Sequence, residues 1–152
     1  MLHINSVSRH RGMTLLSGVR LPGLMAIRDG RLGRFASIRP GSHNAQAFGD
    51  DGVVYNATGH DALVIADAEG FDRRNMRYPR YPEGELLNAD LPEDHARQGF
   101  GRGLCFRDGL VIVGSSPATV SVFEAETGRL VRSVNITMDV RHCPHGLEIW
   151  PF

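Results

Sequence analysis

The sequence contains no lysine, and its 17 basic residues are all arginine. The 17 acidic residues balance them, so the formal net charge is zero and nothing favours electrostatic capture of nucleic acid or of an anionic membrane. Aromatic residues make up only 7% of the chain and do not alternate with a basic stripe, which also argues against a nucleic-acid platform. We therefore expect neither nucleic acid nor a membrane as a partner.

Other absences narrow the class of protein. Only two cysteines occur, Cys105 and Cys143, and neither belongs to a CxxC pair, so we expect free or buried thiols rather than a zinc site built on thiolates. No apolar run approaches the roughly 20 residues that cross a bilayer, and the first residues lack the apolar core of a secretory signal. With 41% hydrophobic residues in a chain of 152, the sequence predicts a globular, cytoplasmic protein.

Sequence signatures of several enzyme classes are also missing. There is no phosphate-binding loop, no G-x-S-x-G and no H-E-x-x-H. Helical periodicity is nearly absent, whereas short β-branched or alternating runs recur between glycine-containing turns. This pattern is typical of many short antiparallel strands.

The glycine-containing turns recur at the same steps in two series. Members of the first series are 40 and 57 positions apart; they are Gly12, Gly52 and Gly109. Members of the second series are 40 and 58 positions apart; they are Gly30, Gly70 and Gly128. Two-residue hairpin turns that match strand twist need positive φ, which explains a glycine in each turn. The shared steps indicate an internal repeat.

Each repeat has the size of one β-propeller blade, four strands in roughly 40 residues. The expected blades cover residues 3–40, 42–79 and 100–137. A proline-rich, acidic insert over 79–100 lengthens the second step, either as a solvated connection or as a loop that covers a binding site. Residues 145–150 align with the first strand of the third repeat. The sequence thus predicts a single, partial all-β domain over 1–152, a β-propeller fragment of three four-stranded antiparallel blades plus one inner strand of a further blade.

Two arrangements would complete such a propeller. In the first, the chain is the C-terminal half of a larger propeller, and its partner is the missing half. In the second, two chains pair into a ring of about six blades, and the partner is a second copy. The last strand, 145–150, favours the first arrangement, because in a symmetric pair it would compete with the first strand of the other copy. A gene fragment with no function of its own is the third alternative. In each case the isolated chain exposes sheet edges and a flank that promote association.

Several short stretches resemble a group of uncharacterised bacterial six-bladed propeller proteins. They are HINSV, SHNAQAF followed by YNAT, and GFGRGL leading into LVIVGSS. More distantly, the chain is similar to gluconolactonase, strictosidine-synthase-like and NHL propellers. The resemblance covers essentially the whole chain but only the second half of such a protein, and it implies a fold without a settled activity. The acidic and amide metal ligands of gluconolactonase-like enzymes have no clear counterparts here, so the resemblance implies no site residue.

Candidate site residues lie where the inner strands begin, at the mouth of the central channel of a propeller. They are His3, Asn5, His43, Asn44, Arg102 and His145. We expect the three histidines to coordinate a divalent metal or to act as acid and base, since imidazole does both near neutral pH. Arg102 would hold a carboxylate or phosphate of a small anionic ligand through a bidentate contact. The alternative is structural, because polar groups at strand starts also join neighbouring blades by hydrogen bonds to backbone carbonyls.

Fold alone does not supply an activity, so the leading hypothesis is a ligand-binding or scaffolding propeller of unknown partner. The alternative is an enzyme at the channel mouth, a metal-assisted lyase, lactonase or hydrolase acting on a small polar or anionic substrate. An enzyme requires the histidines to converge and to be open to solvent. A scaffold would instead show them bonded to neighbouring backbone.

Overall fold

The computed structural model describes residues 3–92 and 97–150, which form three four-stranded sheets with the strands of each sheet in chain order. The first sheet comprises β1 (Ile4–His10), β2 (Met13–Gly18), β3 (Leu24–Arg28) and β4 (Arg31–Ala36). The second comprises β5 (His43–Phe48), β6 (Gly52–Ala57), β7 (Ala62–Asp67) and β8 (Asp72–Arg77). The third comprises β9 (Gly101–Arg107), β10 (Leu110–Ser115), β11 (Thr119–Glu124) and β12 (Leu130–Asn135). Two short 3₁₀ helices cover Thr58–His60 and Glu83–Glu85.

The three predicted four-stranded blades are confirmed, and we number them one to three in chain order. The chain divides into two compact units, unit 1 (Met1–Asn75) and unit 2 (Met76–Phe152). Unit 1 holds blade one and nearly all of blade two, and unit 2 holds blade three. In the described part of the chain, no helix has the length and apolar character needed to cross a membrane.

Unit 1 is built around an apolar core that blades one and two share. Strand β5 packs against β1 and β2, while β6 is buried along its whole length and β7 along nearly all of it. Continuous apolar runs such as GVVYNA and ALVIAD are typical of strands covered on both faces. The largest core side chains include Leu15, Leu24, Val53, Tyr55 and Val64. Full burial of one such aliphatic side chain stabilises the fold by about 1.5–3 kcal/mol.

The hairpin turns follow the predicted chemistry with one exception. In three turns both central residues have positive φ; they are Arg11-Gly12, Asp29-Gly30 and Asp108-Gly109. Gly52 does not belong to this class, because it is the first residue of β6 and the positive φ falls on Gly49. A Cβ atom at Gly52 would lie 2.7 Å from the carbonyl oxygen of Phe48. Close approach of two backbones, not turn conformation, therefore requires glycine there.

The insert predicted over 79–100 is bonded to blade three and to the segment that follows it. The Tyr81 hydroxyl lies 3.0 Å from the Thr119 hydroxyl oxygen at the start of β11. The backbone N–H of Leu87 donates to the carbonyl oxygen of Met138 at 3.0 Å, and Leu87 accepts from the N–H of Val140 at 3.1 Å. The insert is thus a packed connection rather than a freely solvated one at these positions.

The inner strand predicted over 145–150 is not formed, since residues 142–150 contain no regular secondary structure. A strand needs a neighbour for its ladder of hydrogen bonds, and none of the twelve described strands pairs with this segment. The chain instead crosses blade three at Pro144. Cβ atoms at Gly103 in β9 and Gly114 in β10 would come within 2.8 and 2.7 Å of Pro144. These two glycines make room for the crossing.

Candidate functional site

Each of the three inner strands carries a β-bulge near its start, where the candidate residues lie. The pairing register shifts at Asn5 in β1, at Asn44 and Ala45 in β5, and at Gly103 in β9. Asn44 and Gly103 have positive φ, 56° and 67°. A bulge bends its strand and redirects the neighbouring side chains. The bulges, rather than regular strand alternation, therefore decide where the candidate side chains point.

In unit 1 the side chain of Asn5 joins blade one to the start of blade two. Its Nδ2 donates to the carbonyl oxygen of Ser42 at 3.0 Å. Its Oδ1 accepts from the Ser17 hydroxyl at 2.9 Å and from the backbone N–H of Asn44 at 3.2 Å. The Ser17 hydroxyl oxygen accepts in turn from the N–H of Ala45 at 3.2 Å. This geometry is the structural alternative stated above, and it accounts for both Asn5 and the Asn44 backbone.

His3 and His43 meet edge to face in unit 1, with ring centroids 6.3 Å apart. Only His3 is open to solvent, because His43 is 5% exposed. The His43 Nδ1 lies 3.0 Å from the hydroxyl oxygen of Thr58, which follows β6 in the same blade. Two predicted neighbours are therefore brought together, but one of them is buried and bonded within its own blade.

In unit 2, Arg102 and His145 also meet. The Arg102 Nη1 lies 3.1 Å from the His145 Nδ1. The Arg102 guanidinium carbon stands 5.0 Å from the centre of the Phe100 ring, and the Arg97 guanidinium carbon stands 5.6 Å from the same centre. Guanidinium groups at these distances are attracted to the ring face. Arg102, Phe100, His145 and Arg97 together are called the Arg102 cluster below.

The Cys143 thiol contacts the Arg102 cluster. Its thiol donates to the carbonyl oxygen of Phe100 at 3.2 Å. Burial raises the pKa of the Cys143 thiol to about 12, against the opposing effect of the Arg102 charge. The predicted free thiols are present, since neither Cys143 nor Cys105 is in a disulfide. A raised pKa lowers the reactivity of a thiol near neutral pH, which favours a packing role for Cys143.

No three His, Cys, Asp or Glu side chains in the described residues of either unit are grouped so as to hold a metal ion. His3 and His43 belong to unit 1, and His145 belongs to unit 2. The three-histidine metal site stays a prediction for that reason. The sequence analysis did not identify Phe100, Thr58 or Ser17 as contacts of the candidate residues. Of the three, only Phe100 could have been predicted, since an aromatic residue two positions before a candidate arginine is placed to stack on it.

Comparisons with known proteins support the fold. The chain superimposes on the crystal structure of the WD40 β-propeller domain of Doa1 with a TM-score of 0.61, at 12% identity, over 89% of this chain and 41% of that one. The three sheets are propeller blades. The chain is also similar to two computationally designed proteins, Ika8 (TM-score 0.62, 14% identity, 97% of this chain and 40% of that one) and Ika4 (0.63, 13%, 99% and 81%).

These likenesses describe the fold and not an activity, because all the identities are below 15%. The chain spans about two fifths of the Ika8 and Doa1 structures. No protein-family model matches the sequence, and no curated protein matches it.

Proposed function

We propose that this chain is a binding and scaffolding propeller unit that associates with further blades, from a second copy or from the rest of a larger propeller, to complete a ring of about six. One observation carries the proposal, an uncovered apolar face on blade one. Function in this view lies in assembly and in the surfaces that the assembly presents.

Strand registers define that face, which we call the blade-one flank. Cross-strand neighbours share a face of a sheet, and so do residues two apart on one strand. The flank comprises Val7, Leu16 and Met25 in one row and Thr14, Ile27 and Leu32 in the next, and an exposed arginine ends each row, Arg34 after Met25 and Arg9 before Thr14. Val7 is 63% exposed and Leu32 is 62% exposed, whereas Leu15 on the opposite face is buried in the core. Contiguous exposed apolar surface of this kind marks association sites, since its burial yields about 25 cal/mol per Å².

The bonding of the candidate residues supports a scaffold over the enzyme alternative. Acid, base or metal chemistry needs an imidazole nitrogen that is free and accessible. His43 is buried against Thr58, and the Nδ1 of His145 is occupied by Arg102. Asn5 is used in joining blades. In unit 1, Asn5 and His43 therefore bond to the blades themselves, which supports a scaffold.

Light scattering on the purified 152-residue chain and on Val7→Asp tests the proposal. Phe71→Asp is the matched control, because Phe71 is 73% exposed and lies in a turn of blade two, outside the flank. A mass of twice 16.7 kDa, reduced to one chain by Val7→Asp but not by Phe71→Asp, supports completion by a second copy.

Larger assemblies that Val7→Asp alone suppresses show that the flank associates without a second copy closing the ring, which supports completion by the rest of a larger propeller. A wild-type chain that remains a soluble monomer at concentrations of about 100 μM would overturn the proposal, since an uncovered, largely apolar flank favours association.

A further inference from the structure

The Arg102 cluster in unit 2 has the chemistry of a ligand site. We propose that Arg102 and His145, supported by Phe100, bind the oxyanion group of a small ligand, a carboxylate or a phosphate. The Arg102 cluster shares no residue with the blade-one flank, and all of its residues lie in unit 2.

The local backbone explains why these side chains meet. Gly103, with a φ of +67°, is the extra residue of the β9 bulge and follows Arg102 directly. The crossing of Pro144 over Gly103 and Gly114 then brings His145 beside the Arg102 side chain. Phe100 precedes the strand and lies beneath the guanidinium. The site is thus assembled from β9, β10 and the segment after blade three, and not from one loop.

The hydrogen bond between Arg102 and His145 determines which groups face a ligand. Arginine has donors only, so the His145 Nδ1 must accept. A neutral imidazole that accepts at Nδ1 carries its proton on Nε2 and can donate there. Arg102 contributes its remaining guanidinium N–H groups. The pair therefore offers donors without an acceptor, which is the complement of a carboxylate or phosphate.

The charge of Arg102 also favours an anionic ligand. Arg102 forms no ion pair with any carboxylate among residues 3–92 and 97–150, and its Nε is buried with no hydrogen-bond partner in that part of the chain. Most buried polar groups are bonded, so an orphaned guanidinium nitrogen calls for an explanation. An oxyanion bound at Arg102 would supply a negative charge for its guanidinium group.

The same hydrogen bond disfavours a metal at His145. A metal ion needs an imidazole lone pair, and the Nδ1 lone pair is directed at Arg102 while Nε2 carries the proton. Coordination would require the imidazole to release Arg102 and would place a dication beside a guanidinium. Anion binding keeps the observed hydrogen bond and offsets the positive charge.

Titration of the isotopically labelled full chain, followed by NMR, tests the site with two probes, sodium phosphate and sodium acetate. Sodium chloride at equal ionic strength serves as the reference. We expect saturable shifts of the Arg102 side-chain and His145 ring signals with at least one probe. The His145 nitrogens should show the form protonated at Nε2 before titration. Response to phosphate alone identifies a phosphate ligand, and response to acetate identifies a carboxylate.

Arg102→Gln should weaken binding at least about tenfold, because a charge-assisted contact is lost. Arg107→Gln is the matched control, since Arg107 is exposed on the same strand, pairs with Asp108 at 3.3 Å and should bind as the wild type does. Arg102→Lys keeps the charge but loses the planar fork, and we expect it to weaken binding as well.

Absence of saturable shifts with both probes overturns the proposal, as does equal weakening by Arg107→Gln or a His145 ring protonated at Nδ1. Val7→Asp is titrated in parallel. Phosphate or acetate binding by that variant separates the oxyanion site from the assembly, so the failure of one proposal is distinguishable from the failure of the other.

Discussion

At the scale of single residues, burial changes the acidity of the two cysteine thiols, as Cys143 illustrates. Burial is the main cause that raises the pKa of its thiol to about 12, so little of the reactive thiolate is present at pH 8. Burial also raises the pKa of Cys105, with a further contribution from Glu148. We expect Cys143 in the folded protein to react with iodoacetamide at pH 8 at least about 100-fold more slowly than in the guanidinium-unfolded protein.

Peptide mass spectrometry over a time course measures this rate at each cysteine separately. Labelling of Cys143 at the same rate in the folded and unfolded proteins would contradict the assignment. Comparison of the two states of one sample controls for reagent quality.

At the scale of strands, the Asn5 side chain is one of the polar contacts that join blade one to the start of blade two. Asn5→Ala removes three hydrogen bonds in one change, the one donated to the Ser42 carbonyl and those accepted from the Asn44 N–H and the Ser17 hydroxyl. Leaving buried groups unsatisfied costs about 1–3 kcal/mol, and we expect the free energy of unfolding to fall by that amount.

Urea unfolding followed by circular dichroism measures the change. Asn75→Ala is the control, because Asn75 is exposed on β8 and donates only to the exposed Asp72 carboxylate, so we expect a change within about 0.5 kcal/mol. Equal losses in the two variants would show that the inter-blade contact has no special role.

The segment after β12 is held by a carboxylate, and it should therefore respond to acid. Hydrogen bonds from Arg141 hold the pKa of Asp139 well below its usual range, with smaller contributions from the Arg141 backbone and Asn88 and against an opposing effect of burial. A carboxyl whose pKa is lower in the folded state stabilises the fold above its unfolded pKa of about 3.9 and loses that effect as the pH falls toward the folded value.

We therefore expect the urea midpoint of the wild-type protein to decline below about pH 4. Asp139→Asn should lower the free energy of unfolding at pH 7 and should make the decline in acid shallower. Asp50→Asn, at an exposed carboxylate paired with Arg11, should leave the decline unchanged. An unaltered acid response in Asp139→Asn would contradict the role assigned to Asp139.

For the whole molecule, the two proposed surfaces differ in physical character. The blade-one flank is mainly apolar, with arginines only at the ends of its rows, and the Arg102 cluster is cationic. Screening shortens the range of charge interactions from about 10 Å at 0.1 M salt to about 3 Å at 1 M, and it leaves apolar burial intact. We expect 1 M sodium chloride to preserve the assembled mass while weakening oxyanion binding. Light scattering and the NMR titration, each repeated at both salt concentrations, measure these two effects. Dissociation of the assembly at high salt would show that burial of the flank does not cause the assembly.

The fold was more predictable from sequence than the site. Turn pairs such as Arg11-Gly12 and Asp108-Gly109 encode hairpins locally, and the equal steps between them reveal the blades. Gly52 shows the limit of this reasoning, because a glycine in a strand and a glycine in a turn look alike in a sequence. The segment 145–150 shows another limit, since its likeness to β9 says nothing about whether a neighbouring strand exists to pair with it.

The sequence by itself determined that the chain consists of three β-propeller blades, because strand alternation, turn residues and repeat spacing are local properties that can be counted along the chain. Only the tertiary structure decided what the candidate residues do. Bulges direct Asn5 toward Ser42 in the next blade, and the crossing at Pro144 sets His145 against Arg102. These contacts join residues about 40 positions apart, and their hydrogen bonds depend on partners that exist only once the blades have formed.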